Sequence, residues 1–90
     1  MNENLKVGAI ILSKSGRDKD RYFLIYKIEN TGYVLLVDGH IRKLDKPKLK
    51  KIKHISFTGN IADNIAVKFE NDKQVFDSEV FSALKAYNIK

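Results

Sequence analysis

Ninety residues allow a single domain with a modest core, and 43% apolar with 31% charged residues suits a globular chain rather than a disordered one. The absence of cysteine excludes disulfides, thiolate catalysis and cysteine-ligated metals, and makes a reducing cytoplasm the simpler setting. The formal net charge of +6, with lysine supplying 14 of the 17 basic residues, points toward a polyanionic partner, although lysine also serves solubility.

The first expected strand is Val7–Leu12, opened by Gly8. A polar loop follows, from Ser13 to Arg21, with Gly16 allowing a tight turn. Tyr22–Ile28 is rich in β-branched and aromatic residues and forms a second strand. Asn30-Thr31-Gly32 is the turn before a third, Tyr33–Val37. Asp38-Gly39 between apolar runs signals a tight hairpin, which needs positive φ at both central residues and leads into a fourth strand, Ile41–Leu44. Pro47, the only proline, lies in a linker before a fifth, Lys51–Phe57. Five short strands at this spacing predict a small β-barrel over residues 1–58.

The pattern changes beyond residue 58. Ile61, Ala62, Ile65, Ala66 and Phe69 recur at helical spacing, with Asn60 as N-cap and Asp63 three residues on. A hairpin turning at Asn71-Asp72 is the rival, and the helix is favoured. A second helix has Asp77 as its cap, Glu79 in its first turn, and Val80, Leu84 and Tyr87 along one stripe. Residues 59–90 are therefore a helical tail, packed on or next to the barrel. The opening MNENLKVGAI has no basic region ahead of an apolar stretch and is not expected to be a secretory signal. No apolar run approaches the roughly 20 residues that span a bilayer, so no membrane role is expected.

Charge is uneven along the chain. Residues 1–60 carry 13 Lys and Arg against 6 Asp and Glu, whereas residues 61–90 carry 4 against 5. His40 to His54 alone holds seven basic residues and one acid. This ribbon contributes Arg42, Lys43, Lys46, Lys48, Lys50, Lys51 and Lys53, with Leu49 and Ile52 expected to anchor it to the barrel. Lysines also blunt sheet edges, but six in twelve residues exceed that need. The 14–21 loop adds Lys14, Arg17, Lys19 and Arg21, whose guanidinium forks match phosphate oxygens, although a solvated hairpin loop has the same composition. Tyr22 and Tyr26 share one strand face and are candidates for stacking on unpaired bases, whereas Phe23 and Tyr33 are expected in the core. Catalysis finds no support. Neither histidine has a carboxylate pair or a second histidine at metal spacing, the acids Asp18, Asp20, Asp38 and Asp45 fit turn chemistry, and no nucleotide loop or nucleophile elbow is present. No metal or other cofactor is expected.

Val7-Gly8 opening a strand, then Ser13-Lys14-Ser15-Gly16-Arg17-Asp18-Lys19 leading to Arg21-Tyr22-Phe23, resembles a KOW motif. Val34-Leu35-Leu36-Val37-Asp38-Gly39 followed by Ile41-Arg42-Lys43-Leu44 resembles the KOW-bearing large-subunit ribosomal proteins of archaea and eukaryotes. Lys50-Lys51-Ile52-Lys53-His54-Ile55, and Asp77-Ser78-Glu79-Val80, are similar to the small bacterial KOW-domain RNA-binding proteins. The resemblance covers about residues 7–88. It implies an SH3-like five-stranded KOW barrel with two short C-terminal helices. It also implies a ribosome- or translation-associated module that binds structured RNA, above all ribosomal RNA. If the tail extends outward instead of packing, it is a docking element for a ribosomal or acidic protein. Asp20 departs from the second glycine usual in such loops, but aspartate tolerates the left-handed region better than most residues. The rival class is an SH3-like module for an acidic protein or peptide, since fold does not decide function. The absence of tryptophan weighs against an aromatic groove for proline-rich peptides.

Overall fold

The computed structural model describes residues 5–29 and 32–88; the expected turn at Asn30-Thr31 lies outside this range. Five strands, β1 (Ala9–Ser13), β2 (Tyr22–Ile28), β3 (Tyr33–Val37), β4 (Lys48–Lys51) and β5 (Ile55–Ile61), are followed by α1 (Asp63–Glu70) and α2 (Asp77–Asn88). All neighbouring strands are antiparallel, in the order β4-β3-β2-β1-β5. The result is a mainly β sheet with a short two-helix extension.

The sheet is not closed into a barrel, contrary to expectation: β4 and β5 are its two edges, and no ladder joins them among the described residues. It is nevertheless strongly curled. A short 3-10 turn, Ile52–His54, is all that separates the edge strands. Four residue steps reach about 14 Å, whereas four strand spacings across a flat sheet span roughly 19 Å. Register shifts between Ile25 and Lys27 on β2, and between Ala9 and Ile11 on β1, supply bulges that increase local bend and twist.

Alternation within the strands explains the two cores. Ile11, Phe23, Ile25, Val34, Leu36 and Ile55 fill the inner face, with Ala9 completing the cluster. Ile10, Leu24 and Val37 point to the other face and are covered by Ile65 of α1 and by Val80 and Leu84 of α2. Both faces being buried accounts for the near-continuous apolar runs in β1, β2 and β3. The tail thus packs on the sheet, and the Val80–Leu84–Tyr87 stripe carries that packing. Gly8 is needed where α1 crosses: its φ is +90°, and a Cβ there would stand 2.5 Å from the Ala66 Cβ.

Several expected boundaries are corrected. Ile41–Leu44 is a loop, and the fourth strand lies at Lys48–Lys51. Of the Asp38-Gly39 pair only Gly39 has positive φ, and the Asp38 carboxylate stabilises a longer loop by accepting the N–H groups of His40 and Arg42 at 2.9 and 2.7 Å. Lys51–Phe57 is not one strand but the end of β4, the 3-10 turn and the start of β5. The segment from residue 63 is helical rather than a hairpin. Asn60 does not cap it, because β5 continues through Asn60 to Ile61, and α1 begins after Ala62 without a side-chain cap. Instead Asn60 Nδ2 donates to the Tyr87 hydroxyl at 2.7 Å. Asp77 is the first residue of α2, and its carboxylate accepts the Leu44 N–H at 2.8 Å, tying the 38–47 loop to the helix. At the far end of α2 the Asn88 amide pairs with the Tyr22 backbone, accepting its N–H at 2.9 Å and donating to its carbonyl at 3.2 Å.

Glu79 joins the two helices. It accepts a hydrogen bond from the Lys68 ammonium of α1 and from the Phe76 N–H that precedes α2. These bonds, the lysine first, hold its carboxyl below the ordinary glutamate range. A depressed carboxyl stabilises the fold fully above its unfolded pKa, and the contribution is lost as pH falls through the folded value. The melting-temperature gap between the wild type and Glu79→Gln is therefore expected to narrow as the pH is lowered from 6 to below 4. A gap independent of pH across that range would show that the ionised carboxylate contributes nothing.

Candidate functional site

Three segments from distant parts of the sequence meet at one end of the sheet. The 14–21 loop connects β1 to β2 and is closed by Ser13 N–H to the Arg21 carbonyl at 2.9 Å and Asp20 N–H to the Ser13 carbonyl at 2.8 Å. Asp20 has φ +70°, in the left-handed region that aspartate tolerates better than most residues. The 38–47 loop faces it. Arg42 donates from Nε and Nη2 to Asp18 Oδ2 at 3.2 and 3.0 Å. Arg21 donates in the opposite sense, from Nη2 to Asp38 Oδ2 at 3.2 Å. Both carboxylates are buried, so the two guanidiniums are structural struts as much as surface charges. Removing either arginine would leave an enclosed carboxylate without its cation, typically a costly change.

β4 is the third segment. Here the expected inside–outside alternation is reversed. Lys50 is buried and Leu49 is exposed. Lys50 lies opposite Val34 on the inner face, and its Nζ donates to the Ser15 carbonyl at 2.8 Å. A lysine can do this because its long apolar stem packs while the ammonium reaches a polar rim. The 3-10 turn adds a further tie, with the Lys14 N–H donating to the His54 carbonyl at 2.9 Å.

The eleven cations singled out in the sequence therefore divide. Arg21, Arg42 and Lys50 are engaged within the fold, whereas Lys14, Arg17, Lys19, Lys43, Lys46, Lys51 and Lys53 are exposed and Lys48 is half-buried. Among the described residues these eight have no side-chain ion pair. β4 is an edge strand, so some of its lysines also protect the open edge from pairing.

The aromatic candidates are occupied. Tyr22 packs against Tyr87 of α2 with ring centroids 5.3 Å apart, and Tyr26 meets Phe69 of α1 edge-on at 5.2 Å. The face these tyrosines share is covered by the helices rather than open to a base. Exposed aromatic rings lie elsewhere, at Phe76 just ahead of α2 and at Phe81 on α2; it is Phe81 whose ring is 5.8 Å from that of His40. The signal for it was the helical period. Phe81 follows Val80 by one residue, about 100° around the helix, and cannot share the buried stripe.

Among the described residues no group of three His, Asp or Glu side chains is placed to hold a metal ion. No described helix is long and apolar enough to cross a membrane. Compared with known proteins, the chain matches no family model and no curated protein sequence, so its KOW resemblance rests on its own residues.

Proposed function

We propose that this chain is an RNA-binding module of KOW type, directed at structured RNA and, as the resemblance implies, at ribosomal RNA in the cytoplasm. The curled five-stranded sheet is then an open form of the SH3-like barrel. The observation carrying this reading is that two ion pairs and the Lys50–Ser15 hydrogen bond hold the 14–21 loop, the 38–47 loop and β4 together. The two most basic segments of the sequence thereby become one fixed frame, from which the uncommitted lysines project. A fixed frame with exposed cations suits recognition of phosphate-backbone shape more than base sequence.

Affinity for RNA is expected to fall linearly with salt on a double-logarithmic plot, by somewhat under one unit of slope per neutralised phosphate. Fluorescence anisotropy titrations of a labelled ribosomal RNA hairpin between 50 and 300 mM salt measure this. Retained affinity with a slope near zero would remove the electrostatic mechanism. Equal binding to polyglutamate and to RNA at matched salt would favour an acidic protein as the partner.

A further inference from the structure

The 38–47 loop is seated on the first turn of α2 by an unusually close approach. Gly39 has φ +75°, and a Cβ there would lie 2.2 Å from the Asp77 carbonyl oxygen and 2.8 Å from the Phe81 nitrogen. No side chain fits between loop and helix at this point. His40, the next residue, is consequently held beside Phe81, and its N–H is fixed by the Asp38 carboxylate at 2.9 Å. The seating of the loop is reinforced by the Leu44–Asp77 hydrogen bond.

Behind these rings is a cleft of about 220 Å³. Arg21, Asp38, Leu84 and Lys85 are among the residues that line it. Arg21 spends Nη2 on Asp38, but its Nε is enclosed without a hydrogen-bond partner among the described residues. Lys85 lies one helical turn beyond Phe81, on the same side of α2. The cleft thus sets the Phe81 ring, with the His40 ring tilted 57° to it, beside cations of Arg21 and Lys85 that outnumber the single carboxylate. It directly adjoins the loops joined by the Arg21–Asp38 and Arg42–Asp18 pairs.

We propose that the exposed ring of Phe81, flanked by His40, is a stacking site for one unpaired nucleobase of the bound RNA, with Lys85 and Arg21 meeting its phosphate or polar edge. This rests on the RNA-binding reading above and deepens it. An aromatic ring stacks on any base, so the site selects unpaired over paired nucleotides rather than one sequence. It also distinguishes this protein's contact from a purely electrostatic one. The α2 helix, otherwise without general attraction for phosphates, becomes part of the interface.

The test uses the full chain and two labelled probes of equal length and charge: an RNA hairpin with a single-stranded loop and a blunt RNA duplex. The wild type should prefer the hairpin. Phe81→Leu, on an exposed helix position, should reduce hairpin affinity roughly 5- to 100-fold with little change on the duplex, because the aromatic face alone is removed. Phe81→Trp should restore the preference, and the salt slope should be the same in all three proteins. Circular dichroism and melting temperature control for the fold. Hairpin binding unaffected by Phe81→Leu overturns the stacking site while leaving the RNA-binding reading intact. Wild-type protein binding neither probe overturns both. Phe81-dependent binding of polyglutamate in preference to the hairpin assigns the cleft to an acidic protein and overturns it as a base site.

Discussion

Replacing Lys43, Lys46, Lys51 and Lys53 together by glutamate is expected to abolish RNA binding while the fold survives. All four are exposed, and none has a side-chain ion pair among the described residues. Surface substitutions of this kind usually shift stability by no more than about 0.5 kcal/mol each, so the combined cost stays within what a small domain tolerates. The binding effect is far larger. Four phosphate contacts are lost, and four new repulsions replace them. Each lost contact lowers the salt slope by roughly 0.7–0.9, so any residual binding should show a slope reduced by about three units. Anisotropy titration of a labelled RNA hairpin, with circular dichroism as the fold control, decides this. A folded variant that binds undiminished would move the interface to the 14–21 loop.

Lys50 belongs outside that set, and the reason is structural. It lies on the inner face of β4, with its ammonium on the Ser15 carbonyl. Glutamate there would set a carboxylate against a carbonyl oxygen and enclose a charge without its partner. The damage would reach the frame before it reached the RNA. From the sequence, Lys48, Lys50, Lys51 and Lys53 look equivalent. The register of β4 against β3 separates the first three, and Lys53 lies beyond the strand in the 3-10 turn.

The sequence was most legible where strand propensity, periodicity and burial agreed. β2 and β3 lie at Tyr22–Ile28 and Tyr33–Val37 as expected, because their β-branched and aromatic runs are buried on both faces. β4 was illegible for a physical reason. KLKK has no apolar alternation facing a core, and its strand conformation comes from pairing with β3, a tertiary effect that local propensity does not record. Ile41 and Leu44 imitated a strand instead, but the buried Asp38 carboxylate draws the His40 and Arg42 N–H groups into a loop. The junction after β5 misled in the same way. Ile61 and Ala62 fit a helical period with Ile65 and Ala66, yet Ile61 still pairs with Ala9. At the candidate site, the basic segments were visible in the charge pattern. The long-range pairs that divide cations into struts and free charges were not, since Asp18 and Arg42 are 24 residues apart.

Removing both helices after Ala62 is expected to unfold the sheet rather than merely loosen it. The cut belongs after Ala62 because Ile61 is still a strand residue paired with Ala9, and truncation after Thr58 would damage β5 as well. Without α1 and α2, Leu24 and Val37, both fully buried, and Ile10 lose their cover. The lost partners include Ile65, Val80 and Leu84, and fully burying each such side chain is worth about 1.5–3 kcal/mol. Their sum is comparable to the whole stability of a small domain, about 5–15 kcal/mol. A point substitution measures the same packing without deleting chain. Leu84→Ala should cost about 2–5 kcal/mol, and at about 4–8 °C per kcal/mol for a chain this size it should lower the melting temperature by roughly 8–40 °C. Thermal melts followed by circular dichroism, with a dye that reports exposed apolar surface, measure both effects. A truncated protein that melts cooperatively at the wild-type temperature, together with an unshifted Leu84→Ala variant, would show that the sheet stands alone. The helices would then not be the cover of its outer face.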